Sequence, residues 1–254
     1  VNSALFYQYY DSIYTASKNY RAETEAIIER FGDITGRTPQ TVLDVGCGTG
    51  NHAFCFAENH CKTTGIDIDA GMIAIAKKKI QRPDGNPAFF VCDIAGLSSS
   101  GFELAVSLFN VVSYILNTGT LLDFFSGIHK RLSPEGVFVF DCWNGVAAIL
   151  SPPKEQVKRV QLREGASAEV SSIPSPGPSG EIVLMHNNVT ITDAAGEISG
   201  FTYDYTQRLW TPETLKDLLH LSGFQVMFVT DAGDLKTPAS PQTWKIAFTC
   251  LKRI

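Results

Sequence analysis

Several features that would announce a chemistry are missing from this sequence. The six cysteines form no Cys-x-x-Cys pair, and the five histidines show no His-Glu-x-x-His or other ligand spacing, so no metal site is expected. Lysine and arginine number 21 against 26 acidic residues, for a formal charge of −5. That leaves no basic excess to follow a phosphate backbone, and nucleic acid is not expected as the main partner. No apolar run approaches the roughly 18–20 residues that cross a bilayer, so no membrane partner is expected either. The stretch Val1-Asn-Ser-Ala-Leu-Phe6 has no basic segment followed by an apolar one, and no secretory leader is expected. Cys47, Cys55, Cys61, Cys92, Cys142 and Cys250 are scattered among apolar segments and fit free thiols in a reducing cytoplasm.

What is present is one unusual bend. Thr41-Val-Leu-Asp-Val45 is a short strand rich in β-branched residues, and glycines follow at alternate positions, Gly46, Gly48 and Gly50. Glycine accepts φ > 0 and lets a ligand approach the backbone where a Cβ would clash. An apolar helical segment follows over His52 to Glu58. Strand, glycine turn and helix open an α/β nucleotide site, with free N–H groups of the helix N-terminus toward the ligand. The position that would carry the third glycine of a dinucleotide fingerprint is Asn51, and the Gly-Lys-Ser/Thr end of a phosphate loop is absent. Cys47 sits inside the turn with no base placed beside it, which reads as a small residue that fits rather than a nucleophile.

The motif Asp44-Val-Gly-Cys-Gly-Thr-Gly50 resembles the first motif of the class I S-adenosylmethionine (SAM) methyltransferases. The rest of the chain reads as such a fold. Strands are expected at Thr63 to Ile68, Ala88 to Cys92, Phe102 to Asn110 and Val137 to Phe140, alternating with helices. Those include Asn19 to Phe31, stopped by Gly32, and Thr120 to Leu132. From Leu150 the texture changes. Pro152-Pro153 and Ile173 to Gly180 read as loops, and Gln156 to Leu162, Ile182 to Thr192 and Ile198 to Leu209 as alternating strands. Thr211-Pro-Glu-Thr214 opens a capped helix, and Phe224 to Thr230 and Trp244 to Leu251 are the last strands. The expected fold is therefore α/β: a doubly wound, mostly parallel seven-stranded sheet with a small inserted antiparallel β-sheet. Residues 1–149 would form the SAM-binding core with an N-terminal lid helix, 150–208 the inserted sheet covering the acceptor site, and 209–254 the helix and strands that complete the core.

The resemblance implies SAM as cofactor and names the residues that would hold it. Asp67, 21 residues after Gly46, stands where a carboxylate accepts both ribose hydroxyls. Asp93 and Ile94 would meet the adenine, and Ile68, Met72 and Leu108 would line its site together with Asp44, Gly46, Cys47, Gly48 and Gly50. The string Tyr10-Asp-Ser-Ile-Tyr14…Lys18-Asn-Tyr20-Arg-Ala-Glu23 looks like the lid helix of small-molecule methyltransferases, especially those acting on nucleotide-linked amino sugars. Tyr14 and Tyr20 would then cover the cofactor; plain helix packing is the other reading.

Methyl transfer is an in-line displacement that needs no covalent intermediate, only an acceptor atom held opposite the sulfur in a dry pocket. The acceptor is expected beside Leu108 to Tyr114, where Asn110 and Tyr114 are placed to orient it. Tyr114 matches a position that is tyrosine or histidine in sugar N-methyltransferases, although packing alone would also account for it. Trp143 is a candidate pocket wall, and His186 has the intrinsic pKa of a base. The expected activity is transfer of a methyl group to a small-molecule amine or hydroxyl, by a monomer or homodimer. An NAD(P)-dependent oxidoreductase built on the same turn, and a non-catalytic SAM-binding module, are the rival readings.

Overall fold

Apolar residues alternate between two faces along the central strands and so feed two separate cores. The computed structural model describes residues 3–16, 18–81 and 84–253; Val1 and Asn2, read above for a leader, lie outside them. In chain order the elements begin with α1 (Ser3–Thr15), α2 (Tyr20–Thr35), β1 (Thr41–Val45), α3 (Asn51–Glu58), β2 (Lys62–Asp67) and α4 (Ala70–Lys78). Then come β3 (Ala88–Val91), β4 (Phe102–Ser107), α5 (Val111–Tyr114), α6 (Thr118–Arg131), β5 (Leu132–Trp143) and α7 (Gly145–Leu150). Four strands follow, β6 (Gln156–Gln161), β7 (Ser167–Pro176), β8 (Ile182–Thr192) and β9 (Ile198–Arg208), and the chain closes with α8 (Pro212–Leu221), β10 (Phe224–Asp231) and β11 (Lys245–Lys252).

The large sheet has seven strands in the order β10-β11-β5-β4-β1-β2-β3. Strands β1 to β5 run parallel, and β11 pairs antiparallel with β5. Strand order therefore reverses between β1 and β4, the point at which an open α/β sheet forms a crevice at its carboxyl edge. Leu43, Ala105, Phe138 and Phe140 face α6 and α8 through Phe125, Ile128 and Leu215. Val42, Leu104, Val106 and Val139 face the other way, onto Ile27, Phe31 and Phe56 of α2 and α3. Burial on both faces makes these strands nearly continuous apolar runs.

The small sheet, β6-β7-β8-β9, is antiparallel throughout. Helix α1 packs on it through Leu5, Phe6, Tyr9 and Ile13, against Val160, Val170, Val189, Ile191 and Phe201. No helix among the described residues is long and apolar enough to cross a membrane.

Three local expectations give way to packing. Helix α2 continues through Gly32 and ends at Gly36, whose φ of 72° and N–H to the Gly32 carbonyl close it. Ile34 packs against the core from that extra turn, which offsets the roughly 1 kcal/mol that a mid-helix glycine costs. Strand β7 runs on to Pro176 through the stretch that reads as a loop. The ladder from β6 reaches only Ser172, so Pro174 and Pro176 lie where β7 has β8 alone beside it and lose no partner. Strand β4 stops at Ser107, because Phe109 and Asn110 turn left-handed at φ 71° and 63°.

Candidate active site

A cleft of about 730 Å³ opens where β1 and β4 part, lined on one side by Gly46, Gly48, Asp67, Ile68, Met72, Asp93 and Ile94. On the other side stand Leu108, Phe109, Tyr114 and, from α1, Tyr10. Its size is that of a pocket for a drug-sized ligand. The bend is shaped by two glycines with different tasks. Gly46, at φ 75°, passes so close to Val111 that a Cβ would stand 2.6 Å from its methyl group. Gly48, at φ 54°, has no described atom within 4 Å of where a Cβ would be, so its backbone is open to a ligand. The N–H groups of Gly46 and Cys47 both donate to the Ile66 carbonyl, 2.8 and 3.0 Å away, and fix the bend to β2.

Asp67, at the end of β2, takes N–H donors from Gly48 at 2.8 Å and Asp69 at 2.9 Å, one on each carboxylate oxygen. A carboxylate has about four acceptor sites, so capacity remains for two hydroxyls. Burial raises its pKa. Asp44 lies beneath the bend, 2 % exposed, and its Oδ2 has no hydrogen-bond partner among the described residues. Burial, and then the neighbouring Asp67, push its pKa up to about 7. Asp44 is not part of the cleft lining, and its unpaired oxygen suits a ligand whose cation reaches beneath the open glycine bend.

Helix α1 closes the cleft and is tied to the core by polar contacts. Tyr7 donates to Asp69 at 2.9 Å. Asp11 accepts from the Thr49 hydroxyl, from Asn51 Nδ2 at 3.0 Å and from Lys79 Nζ at 2.9 Å.

Rings drawn from three elements wall the other end. Tyr10 lies 4.8 Å from Tyr14, and Tyr14 meets Phe109 edge-on at 5.1 Å (centroid distances). The Tyr14 hydroxyl is 2.9 Å from that of Tyr203, and Tyr205 stands 5.6 Å from Tyr114. Burial raises the pKa of Tyr10, Tyr14 and Tyr114, and lifts that of Tyr203 to about 12. These phenols are neutral and none is a base at ordinary pH. Phe109 also carries two ammonium groups, Lys18 at 4.8 Å and Lys245 at 5.4 Å from its centroid. Each has its own carboxylate, Glu23 at 2.6 Å and Asp141 at 3.5 Å. Burial alone would raise the Glu23 pKa, but the His52 hydrogen bond and the Lys18 charge outweigh it and hold it at about 2.

The cleft thus brings together Gly46, Gly48, Asp67, Ile68, Met72, Asp93, Ile94, Leu108 and Tyr114 from among the expected residues. Others stand outside its lining. Tyr14 backs Tyr10 and Phe109, and Tyr20 packs 4.8 Å from the His52 ring. Cys47 is tucked below the bend, its thiol raised by burial, and Gly50 is closed over by Phe89. Asn110 gives its N–H to Asp141 at 2.6 Å, and its side-chain oxygen is buried without a partner among the described residues. Trp143 packs on Trp244 in the seam between the two sheets.

His186 requires correction. Burial alternates along β8, with Met185 and Asn187 inward, so His186 points outward and pairs with Asp204 at 2.5 Å and Asn188 at 3.1 Å. Tyr10 and Phe109 are cleft residues to which the sequence alone assigns no role. Gln207, whose side chain tempers the rise of the Tyr114 pKa, is a further neighbour of that phenol. The signal for it is the two-residue period of Tyr203, Tyr205 and Gln207 on β9, which puts them on one face.

Residues 42–136 match the family described as a methyltransferase domain. A putative methyltransferase of a Geobacillus species is 27% identical over 137 residues, covering 54% of this chain and 55% of the relative. The dTDP-3-amino-3,4,6-trideoxy-alpha-D-glucopyranose N,N-dimethyltransferase of Streptomyces venezuelae is 30% identical over 138 residues, covering 53% and 55%. The chain therefore spans about half the length of both curated relatives. Among solved structures, DesVI of Streptomyces venezuelae superposes with a TM-score of 0.83 at 22% identity, over 99% of each chain.

Proposed function

We propose that this chain, which carries a methyltransferase domain on the class I methyltransferase fold, transfers a methyl group from SAM to the amine of a small molecule. The observation that carries the choice of amine is the wall of neutral phenols at the cleft end formed by Tyr10 and Tyr114. A hydroxyl acceptor needs a base beside it, whereas an amine can give its proton to water before it is bound. A relative whose name specifies an amino-sugar N,N-dimethyltransferase supports the same class, and amino sugars are the first acceptors to try.

The residues present fit the cofactor. Asp67 would accept the ribose hydroxyls, Asp93 and Ile94 would meet the adenine, and Gly46 and Gly48 would let the cofactor's amino-acid end lie against backbone. The orphaned Asp44 oxygen, behind that lining, would take the amino-acid ammonium. Bound there, SAM supplies an electrophilic methyl group on a sulfonium. The remaining work belongs to this chain: Tyr114 orients the acceptor through its phenol, and α1 and the sheet over residues 150–208 keep water out. Calorimetry with SAM, S-adenosylhomocysteine and NAD, followed by a methyl-transfer assay over matched amines and alcohols, tests the reading. Binding of NAD without SAM rejects it, and turnover on alcohols alone rejects the amine.

A further inference from the structure

Cations are bound in proteins by carboxylates or by the faces of aromatic rings, and the two ends of this cleft differ in which they offer. At the glycine end, Asp67, Asp69 and Asp93 each accept backbone N–H groups. Across the cleft the lining includes the rings of Tyr10, Phe109 and Tyr114, with Asp123 of α6 as a further carboxylate. The carboxylates behind Phe109, Glu23 and Asp141, are already matched to Lys18 and Lys245, so those pairs add no net charge. Phe109 already carries those two ammonium groups, so what this end presents to a cation is the ring surface of Tyr10 and Tyr114.

The rings are also held rigidly. Tyr10 is on α1, Phe109 follows β4 and Tyr114 closes α5, so three separate elements set their positions. Tyr14 braces Tyr10 and Phe109 at 4.8 and 5.1 Å, and Tyr205 braces Tyr114 at 5.6 Å. Phe109 keeps its place at the expense of a left-handed backbone, φ 71°, unusual for a bulky side chain. Tyr114 remains 46 % exposed although its ring is braced, which leaves surface free for a ligand. A methylated ammonium spreads its charge over its methyl groups. Each methyl group added removes one N–H donor to a carboxylate, lowers the cost of shedding water, and leaves a cation attracted by the negative faces of rings.

We infer that Tyr10 and Tyr114, backed by Tyr14 and Tyr205 and with Phe109 as a wall between them, form a binding site for a methylated ammonium group, the form in which an N-methylated acceptor carries its charge. The inference rests on the methyltransferase reading and deepens it, because it names the state of the acceptor that the wall holds. The rings would retain a partly methylated amine beside the bend, and specificity for that amine would lie in π surface rather than in an ion pair.

The test needs no knowledge of the natural acceptor. With the full chain saturated by S-adenosylhomocysteine, tetramethylammonium chloride and its neutral look-alike 2,2-dimethylpropan-1-ol are titrated at constant ionic strength. The ammonium is expected to bind about tenfold more tightly than the alcohol. Tyr114→Phe, which keeps the ring, should hold the ammonium as well as the parent chain does, and Tyr114→Leu should lose about fivefold or more. Equal affinity for ammonium and alcohol, or a Leu variant that binds the ammonium like the parent, overturns the site. The cofactor's sulfonium shares this chemistry. If Tyr114→Leu weakens SAM but leaves S-adenosylhomocysteine unchanged, the rings serve the cofactor and the assignment to the acceptor falls. Failure of the parent chain to bind S-adenosylhomocysteine at all would instead remove the methyltransferase reading.

Discussion

The hydroxyls of Tyr14 and Tyr203 lie 2.9 Å apart, and through them the lid helix α1 is joined to strand β9 of the small sheet. Tyr14→Phe removes one partner and leaves the Tyr203 oxygen half-buried and unmatched. The expected cost is about 1 kcal/mol of stability, read as a lower urea midpoint with an unchanged slope.

Asp67 is the carboxylate that the proposed cofactor depends on most. Asp67→Ala is expected to weaken SAM binding by about 1.5–3 kcal/mol, the loss of a charged acceptor. Calorimetry measures it, and an unchanged affinity removes the role.

Asp44 offers a test with opposite signs in two measurements. Its pKa is raised from 3.8 to about 7 by burial. The folded state therefore favours the protonated form. The contribution is full below about pH 3.8 and is lost as pH rises towards 7, since the unfolded chain ionises first. Asp44→Asn should be more stable than the parent at pH 8, by about 2–4 kcal/mol, with no such gain at pH 4. The same variant should bind SAM less tightly, if the unpaired oxygen takes the ammonium. Thermal melts at the two pH values and a SAM titration read both effects.

Tyr114 and His186 form a contrast. Tyr114→Phe is expected to lower turnover on an amine acceptor about tenfold, one orienting hydrogen bond, with little change in SAM affinity. His186→Ala, on the outward face of β8, should leave turnover unchanged. Steady-state kinetics on the two variants side by side decides whether the chemistry belongs to the cleft.

Asp11 ties α1 to Thr49, Asn51 and Lys79. Asp11→Ala should raise the Kd for S-adenosylhomocysteine a few-fold and speed proteolytic cleavage near α1, about 1 kcal/mol of lost closure. Identical digestion of parent and variant would show that the contact does not hold the lid.

What could be read from the sequence depends on how local the constraint is. The bend is legible because its left-handed positions, Gly46, Gly48 and Gly50, favour glycine over any other residue. Asp67 and Asp93 are legible because they follow buried strands at the spacing of a doubly wound sheet. The face occupied by His186 is not, since a one-residue change of register turns a strand's side chains over, and register comes from pairing with β7 and β9. The end of α2 escapes for a similar reason. Gly32 and Gly36 are equal as local stop signals, and only the core beneath Ile34 decides between them. The prolines of β7 read as loop formers because an absent neighbour strand is not written in the segment itself.

The two sides of α1 are fastened with unequal strength. Phe6 and Ile13 sink into the small sheet, at about 1.5–3 kcal/mol for each buried side chain. The Asp11–Lys79 pair is 30 % exposed on either side and contributes about 0–1 kcal/mol. Were α1 to part from the core, its polar ties through Tyr7 and Asp11 would yield before this apolar packing, and the helix would stay with β6 to β9. On the proposed function, substitutions along that seam would change how quickly a product leaves without touching any reacting atom.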